Sequence, residues 1–146
     1  MKTPEELLEE GIITIPLGAL LEYWDPILDN VWGCGPITED EVRNYTGPVR
    51  SSSAEYISPD FSDKEFNVGR IAYLLEHGWD AADVDLHPVT VDVGMSGYTS
   101  DELVVDGNHR VAAAKFRGDE TITVSIIGDI DKAIAVFQDG MYIDDY

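Results

Sequence analysis

The stretch Leu103-Val104-Val105-Asp106-Gly107-Asn108-His109-Arg110-Val111-Ala112-Ala113-Ala114 passes from strand to helix character across one glycine, and this junction constrains the chain more than any other. Val104 and Val105 have the β-branched composition of a strand. The apolar, alanine-rich run after Arg110 reads as a helix that Gly118 ends. A tight turn at Gly107 therefore joins a buried strand to a helix with a very apolar first half. Backbone N–H groups converge there, because the first turn of a helix holds unpaired donors and the positive end of the macrodipole. Such a turn can hold a phosphate without a large basic patch.

The flanking sequence supplies the rest of an α/β (α+β) domain. Thr3-Pro4-Glu5-Glu6 reads as a capped helix start that Gly11 ends, and Ile12-Ile13-Thr14-Ile15-Pro16 as a buried strand of the central sheet. Leu17 to Asn30 is too irregular to assign as helix or packed loop. Trp32-Gly33-Cys34-Gly35-Pro36 is a turn. Thr38-Glu39-Asp40-Glu41 opens a short helix, and Ser62-Asp63-Lys64-Glu65 opens an amphipathic one stopped by Gly78. Val49 to Phe61 reads as a loop or short edge strand. Pro88 to Val93 and Glu102 to Val105 form a hairpin. The strand Thr121 to Ile127 follows the alanine-rich helix, and a last helix covers Ile130 to Phe137. Residues 138–146 read as a frayed acidic tail. With no repeat or linker, one compact domain is expected over residues 1–146, a small mixed sheet flanked by helices.

A chain of 146 residues with 44% hydrophobic content can bury a real core. No apolar run approaches the roughly 20 residues that span a bilayer, and the acidic start lacks signal-peptide character, so a cytoplasmic protein is expected. Cys34 is the single cysteine, which excludes an intrachain disulfide and a thiolate metal cluster. Nine Lys and Arg stand against 29 Asp and Glu, a formal net charge of −20. That surface repels a phosphate backbone and disfavours general nucleic-acid binding, nuclease action included. It suits solubility, a basic protein partner or mimicry of nucleic acid.

The chemistry of the junction follows from its side chains. Arg110 adds a charge and a two-pronged donor. His109 can donate to a phosphate or move a proton near neutral pH. Asp106 can ligate Mg²⁺ or orient a hydroxyl. The bland alternative makes Asp-Gly only a turn, Asn108 only an N-cap, and His109 and Arg110 only a solvated helix face.

The ordered series of helix, Gly78 stop, Pro88-Val89-Thr90-Val91, hairpin, Asp-Gly-x-His-Arg, alanine-rich helix and β-branched strand resembles the ParB/sulfiredoxin superfamily. The likeness covers residues 13–127 and is specific over 66–127. It implies that the glycine turn and its helix bind nucleotide phosphates, as in CTP-hydrolysing partition proteins, ATP-dependent sulfiredoxins and a free-serine kinase. Gly107, Asn108, His109 and Arg110 then become the phosphate-contacting residues, Asp106 a metal ligand, and ATP or CTP with Mg²⁺ the implied cofactor. The chain departs from two branches. Partition proteins carry a glutamate and two arginines after this glycine and a basic helix-turn-helix further on. Sulfiredoxins carry a catalytic cysteine where Asn108 stands. The serine-kinase branch is most similar, with Asn108 replacing a histidine, and a kinase of this type needs a carboxylate base, for which Glu22 or Asp25 is the candidate.

Two functions follow: nucleotide hydrolysis or phosphoryl transfer at the junction, or an acidic, non-catalytic interaction or inhibitor protein of phage or plasmid type on the same fold. Arg50 with Ser51, Ser52 and Ser53 offers a second phosphate-contacting loop or a solvated one. Tyr23, Trp24 and Trp32 suit core or a stacking surface. Cys34, His77 and His87 read as structural, since no basic neighbour activates the thiol and neither histidine has metal-ligand spacing.

Overall fold

The computed structural model describes residues 2–51, 62–79 and 88–146. Ser52, Ser53, most of the expected Val49–Phe61 loop and His87 lie outside the described residues. The chain runs α1 (Pro4–Glu9), β1 (Ile12–Pro16), α2 (Leu17–Tyr23), α3 (Glu39–Arg43), α4 (Lys64–His77), β2 (Val89–Gly94), β3 (Val104–Asp106), α5 (Asn108–Arg117), β4 (Thr121–Gly128) and α6 (Ile130–Ala133). A π-turn, Ile134–Gln138, continues α6, and a 3-10 turn, Ile143–Asp145, follows.

The four strands form one mixed sheet in the order β1-β4-β2-β3, the compact α+β architecture expected. β4 pairs antiparallel with β1 and parallel with β2, and β3 pairs antiparallel with β2. A parallel pair needs a long crossover, and here the hairpin β2–β3 followed by α5 supplies it. Period-2 alternation fixes the register. Ile13 faces Val124 and Ile15 faces Ile122 on the packed side, while Thr14 and Thr123 share a 2.9 Å hydroxyl hydrogen bond on the open one.

Alanine explains where α5 sits. Val111, Ala112, Ala113 and Ala114 are all 0% exposed. Val111 and Ala114 pack with the sheet residues Val89, Val91 and Val124. Ala112 and Ala113 pack with Val68, Ile71 and Leu74 of α4 and Val42 of α3. Methyl side chains let the sheet and α4 approach one helix from two sides, so its N-terminal end is held in place by close packing.

The irregular 17–30 stretch resolves into α2 followed by hydrogen-bonded turns. Asp63, not Ser62, is the N-cap of α4, its carboxylate accepting from the Glu65 N–H at 3.0 Å. The end of the chain is packed rather than frayed. Ile143 is 6% exposed, and its N–H donates to the Tyr23 hydroxyl at 3.3 Å. One apolar residue in that acidic run is enough to anchor it.

Lys132 at the start of α6 is 1% exposed. Its ammonium donates to the carbonyls of Met95 at 3.0 Å and Tyr98 at 2.9 Å and to Thr99 Oγ1 at 3.2 Å. Three acceptors match the three donors of an ammonium, which is how a buried lysine avoids the penalty of unsatisfied charge. The result clamps the Met95–Tyr98 turn onto α6.

Candidate functional site at the start of the fifth helix

Gly107 has φ 98° and ψ 21°, the left-handed region that glycine enters at little cost. A Cβ there would lie 2.9 Å from Val89 Cγ2 and 3.2 Å from Arg110 Nη2. The turn is therefore pressed against β2, and only glycine fits. Gly107 is also the N-cap of α5, so no N-cap side chain satisfies the first turn. Its carbonyl begins the helix by accepting from the Val111 N–H at 3.0 Å.

The four residues around this glycine have different tasks. Asn108 Oδ1 accepts from Trp24 Nε1 at 2.8 Å, and its Nδ2 donates to the Val104 carbonyl at 3.4 Å. Asn108 thus ties α5 to the end of α2 and to β3 through its side chain. Asp106, the last residue of β3, has a side chain 73% exposed and lies 3.9 Å from the guanidinium of Arg110, whose side chain is 14% exposed. The arginine is held near the backbone of the turn, its Nη2 3.2 Å from where a Cβ at Gly107 would lie.

His109 departs furthest from expectation. Its ring stacks on Trp32 with centroids 4.5 Å apart and planes 15° from parallel, and it meets Phe66 edge-on at 6.3 Å. Nε2 shares a 2.8 Å hydrogen bond with Oδ1 of the fully buried Asn67. Loss of solvent around the ring, with the nearby charge of Arg70, lowers its pKa from 6.5 to about 3. The imidazole is neutral at physiological pH and is built into the wall between α4 and α5. That placement gives it a packing and positioning task.

Arg50 reaches the same wall. Its guanidinium lies 5.6 Å over the Phe66 ring, and its carbonyl accepts from Arg70 at 3.1 Å. Arg50 and His109 therefore flank one phenylalanine, a nearness that their separation in sequence did not reveal. Asp25, a candidate base, is engaged in structural bonds. It is 6% exposed, its Oδ1 accepts from the N–H groups of Ile27 and Leu28 at 3.0 and 3.2 Å, and its Oδ2 holds Lys115 of α5 at 2.7 Å. Glu22 is exposed on α2, and no described hydrogen bond or ion pair ties it to the turn. Cys34 is partly buried, its thiol 3.6 Å from the Gly35 carbonyl. His77 packs against Tyr73 at 4.4 Å at the end of α4.

A cavity of about 540 Å³ opens beside Asn108 at the first turn of α5. Tyr23, Trp24 and Trp32 give it aromatic walls, and Asp29, Asp101 and Glu102 give it carboxylates. Composition alone did not bring these six together. The signal that pointed this way was the three large aromatics Tyr23, Trp24 and Trp32, close in sequence. Among the described residues no group of three or more His, Cys, Asp or Glu forms a ready metal cage. A Mg²⁺ ion here would take one or two carboxylates and complete its shell with phosphate and water oxygens, its usual habit. No helix among the described residues is long and apolar enough to cross a membrane. No protein-family model, curated protein or solved structure matches the chain.

Proposed function

We propose that this domain binds a nucleotide, ATP or CTP as the Mg²⁺ complex, with its phosphates at the first turn of α5, and that hydrolysis or phosphoryl transfer is its chemistry. The observation that carries the reading is the left-handed Gly107, pressed on Val89 and leaving α5 without a side-chain cap, directly before Asn108, which lines a ligand-sized cavity. A helix N-terminus contributes about half a positive charge. Three nearby carboxylates outweigh that, so a bare polyphosphate is repelled and the metal complex is the form that fits. Asp106, exposed just before the turn, would share the metal, and Arg110 would stabilise charge developing on the transferred group. His109 sets the shape of the wall. For a hydroxyl acceptor, Asp101, which lines the cavity, is better placed as a base than Glu22, which does not, though both are exposed.

Calorimetric titration with ATP and CTP, with Mg²⁺ and with chelator, tests this reading. Saturable binding is expected only with Mg²⁺, and Arg110→Ala should weaken it at least tenfold, the worth of a charge-assisted hydrogen bond. Circular dichroism would confirm that the variant is folded. A folded parent protein that binds neither nucleotide overturns the proposal.

A net charge of −20 favours a second reading, an acidic protein that occupies a basic surface. Met95, Tyr98 and Tyr142, exposed at 57%, 65% and 56%, are the type of side chain that anchors such contacts. Tight, salt-sensitive binding to a basic protein, unchanged by Arg110→Ala, would support it over the first.

A further inference from the structure

The cavity beside α5 has a lining that a phosphate does not explain. Tyr23, Trp24 and Trp32 contribute to its lining, its charged groups are the exposed Asp29, Asp101 and Glu102, and none of the described lining residues is Lys or Arg. Aromatic faces attract cations through the ring quadrupole, and carboxylates add direct charge and hydrogen-bond acceptors. The walls are fixed before any ligand arrives. Trp24 is held by its bond to Asn108, Trp32 by its stack on His109, Tyr23 by its edge contact with Phe137 at 6.2 Å, and Asp29 by accepting from the Asp25 N–H at 2.9 Å. Preorganised walls spare a ligand the entropy of ordering them.

We infer that this cavity binds a small organic cation, a free guanidinium or primary ammonium compound. A volume of about 540 Å³ admits a small molecule. The half-charge of the α5 N-terminus opposes a cation, but three carboxylates exceed it several-fold in charge. A multipoint lining of rings and acceptors also distinguishes the site from the diffuse attraction that so acidic a surface has for any counter-ion. The inference stands apart from the nucleotide reading, because no nucleotide takes part in its test.

The test uses the indole N–H resonance of Trp24, assigned by its loss in Trp24→Phe, in ¹H–¹⁵N spectra of the full chain in physiological salt. Agmatine and a capped Gly-Arg-Gly peptide serve as cationic probes, and methylurea as the neutral counterpart of a guanidinium. A saturable shift with agmatine, none with methylurea, and at least tenfold weaker binding in Asp101→Asn/Glu102→Gln are expected. Asp144→Asn/Asp145→Asn, which removes the same charge elsewhere, should bind agmatine as the parent does. Agmatine binding more tightly than the peptide supports a free small molecule, and the reverse order overturns that part in favour of an arginine side chain. Equal responses to agmatine and methylurea, a shift that never saturates, or equal weakening by both double substitutions overturns the site itself.

Discussion

Lowering the pH from 7 to 5 is expected to cost the protein about 2 kcal/mol of stability through His109 alone. In the unfolded chain an imidazole takes up a proton near pH 6.5, whereas His109 in the folded protein does so only near 3. The unfolded state therefore gains the proton first as pH falls. Stability from the neutral ring is fully present above pH 6.5 and drains away toward pH 3. Relief of self-repulsion among the carboxylates acts in the opposite direction over the same range, so the comparison must be internal. His109→Phe keeps an aromatic ring against Trp32 and cannot titrate there. It should be less stable at pH 7 by roughly 1–3 kcal/mol, because the buried Asn67 oxygen loses its partner. Between pH 7 and pH 5 its urea midpoint should fall less than that of the parent, or rise. Parallel pH profiles for the two proteins would show that His109 does not carry this linkage.

Gly128→Ala should cost about 3–5 kcal/mol, a large share of the stability of a domain of this size. Gly128 ends β4 with φ 96°, where its Cα faces the backbone of Gly94 at the end of β2. A methyl group there would run into the Gly94 carbonyl oxygen and lie 3.0 Å from both its carbonyl carbon and its nitrogen. No side chain can turn aside to make room, so the two central strands must part at their ends. Gly140→Ala separates this clash from backbone strain, since Gly140 has φ 81° and open space around the same position. That control should lose only about 1–2 kcal/mol. Equal urea midpoints for the two variants would remove the steric part of the argument.

Element identity was legible in the chain because its punctuation is strong. Thr38 caps α3 with a complete capping box, Gly78 and Gly118 end α4 and α5, and alternation places the strands. The roles of the site residues were less legible, because each is set by a partner far along the chain. Asn108 reads as an N-cap until Trp24 is found against it, and Asp25 reads as a candidate base until Lys115 is. His109 is suited to proton transfer by type, yet Trp32, Phe66 and Asn67 give it a neutral ring. The cavity shows the same limit, since residues from the end of α2, the turn after it and the β2–β3 connection meet only once the sheet is assembled.

The lysine beneath the Met95–Tyr98 turn makes the opening of this region chemically visible. An amine with all three hydrogens engaged and 1% exposure cannot meet an acylating reagent while the fold is closed. Its labelling therefore depends on opening events, in the regime where reclosure outpaces the reagent. Mass-spectrometric labelling of Lys132 against half-exposed Lys64 would time the parting of α6 from the β2–β3 connection without denaturant, and once acylated the side chain could no longer return as a cation to its carbonyl seat.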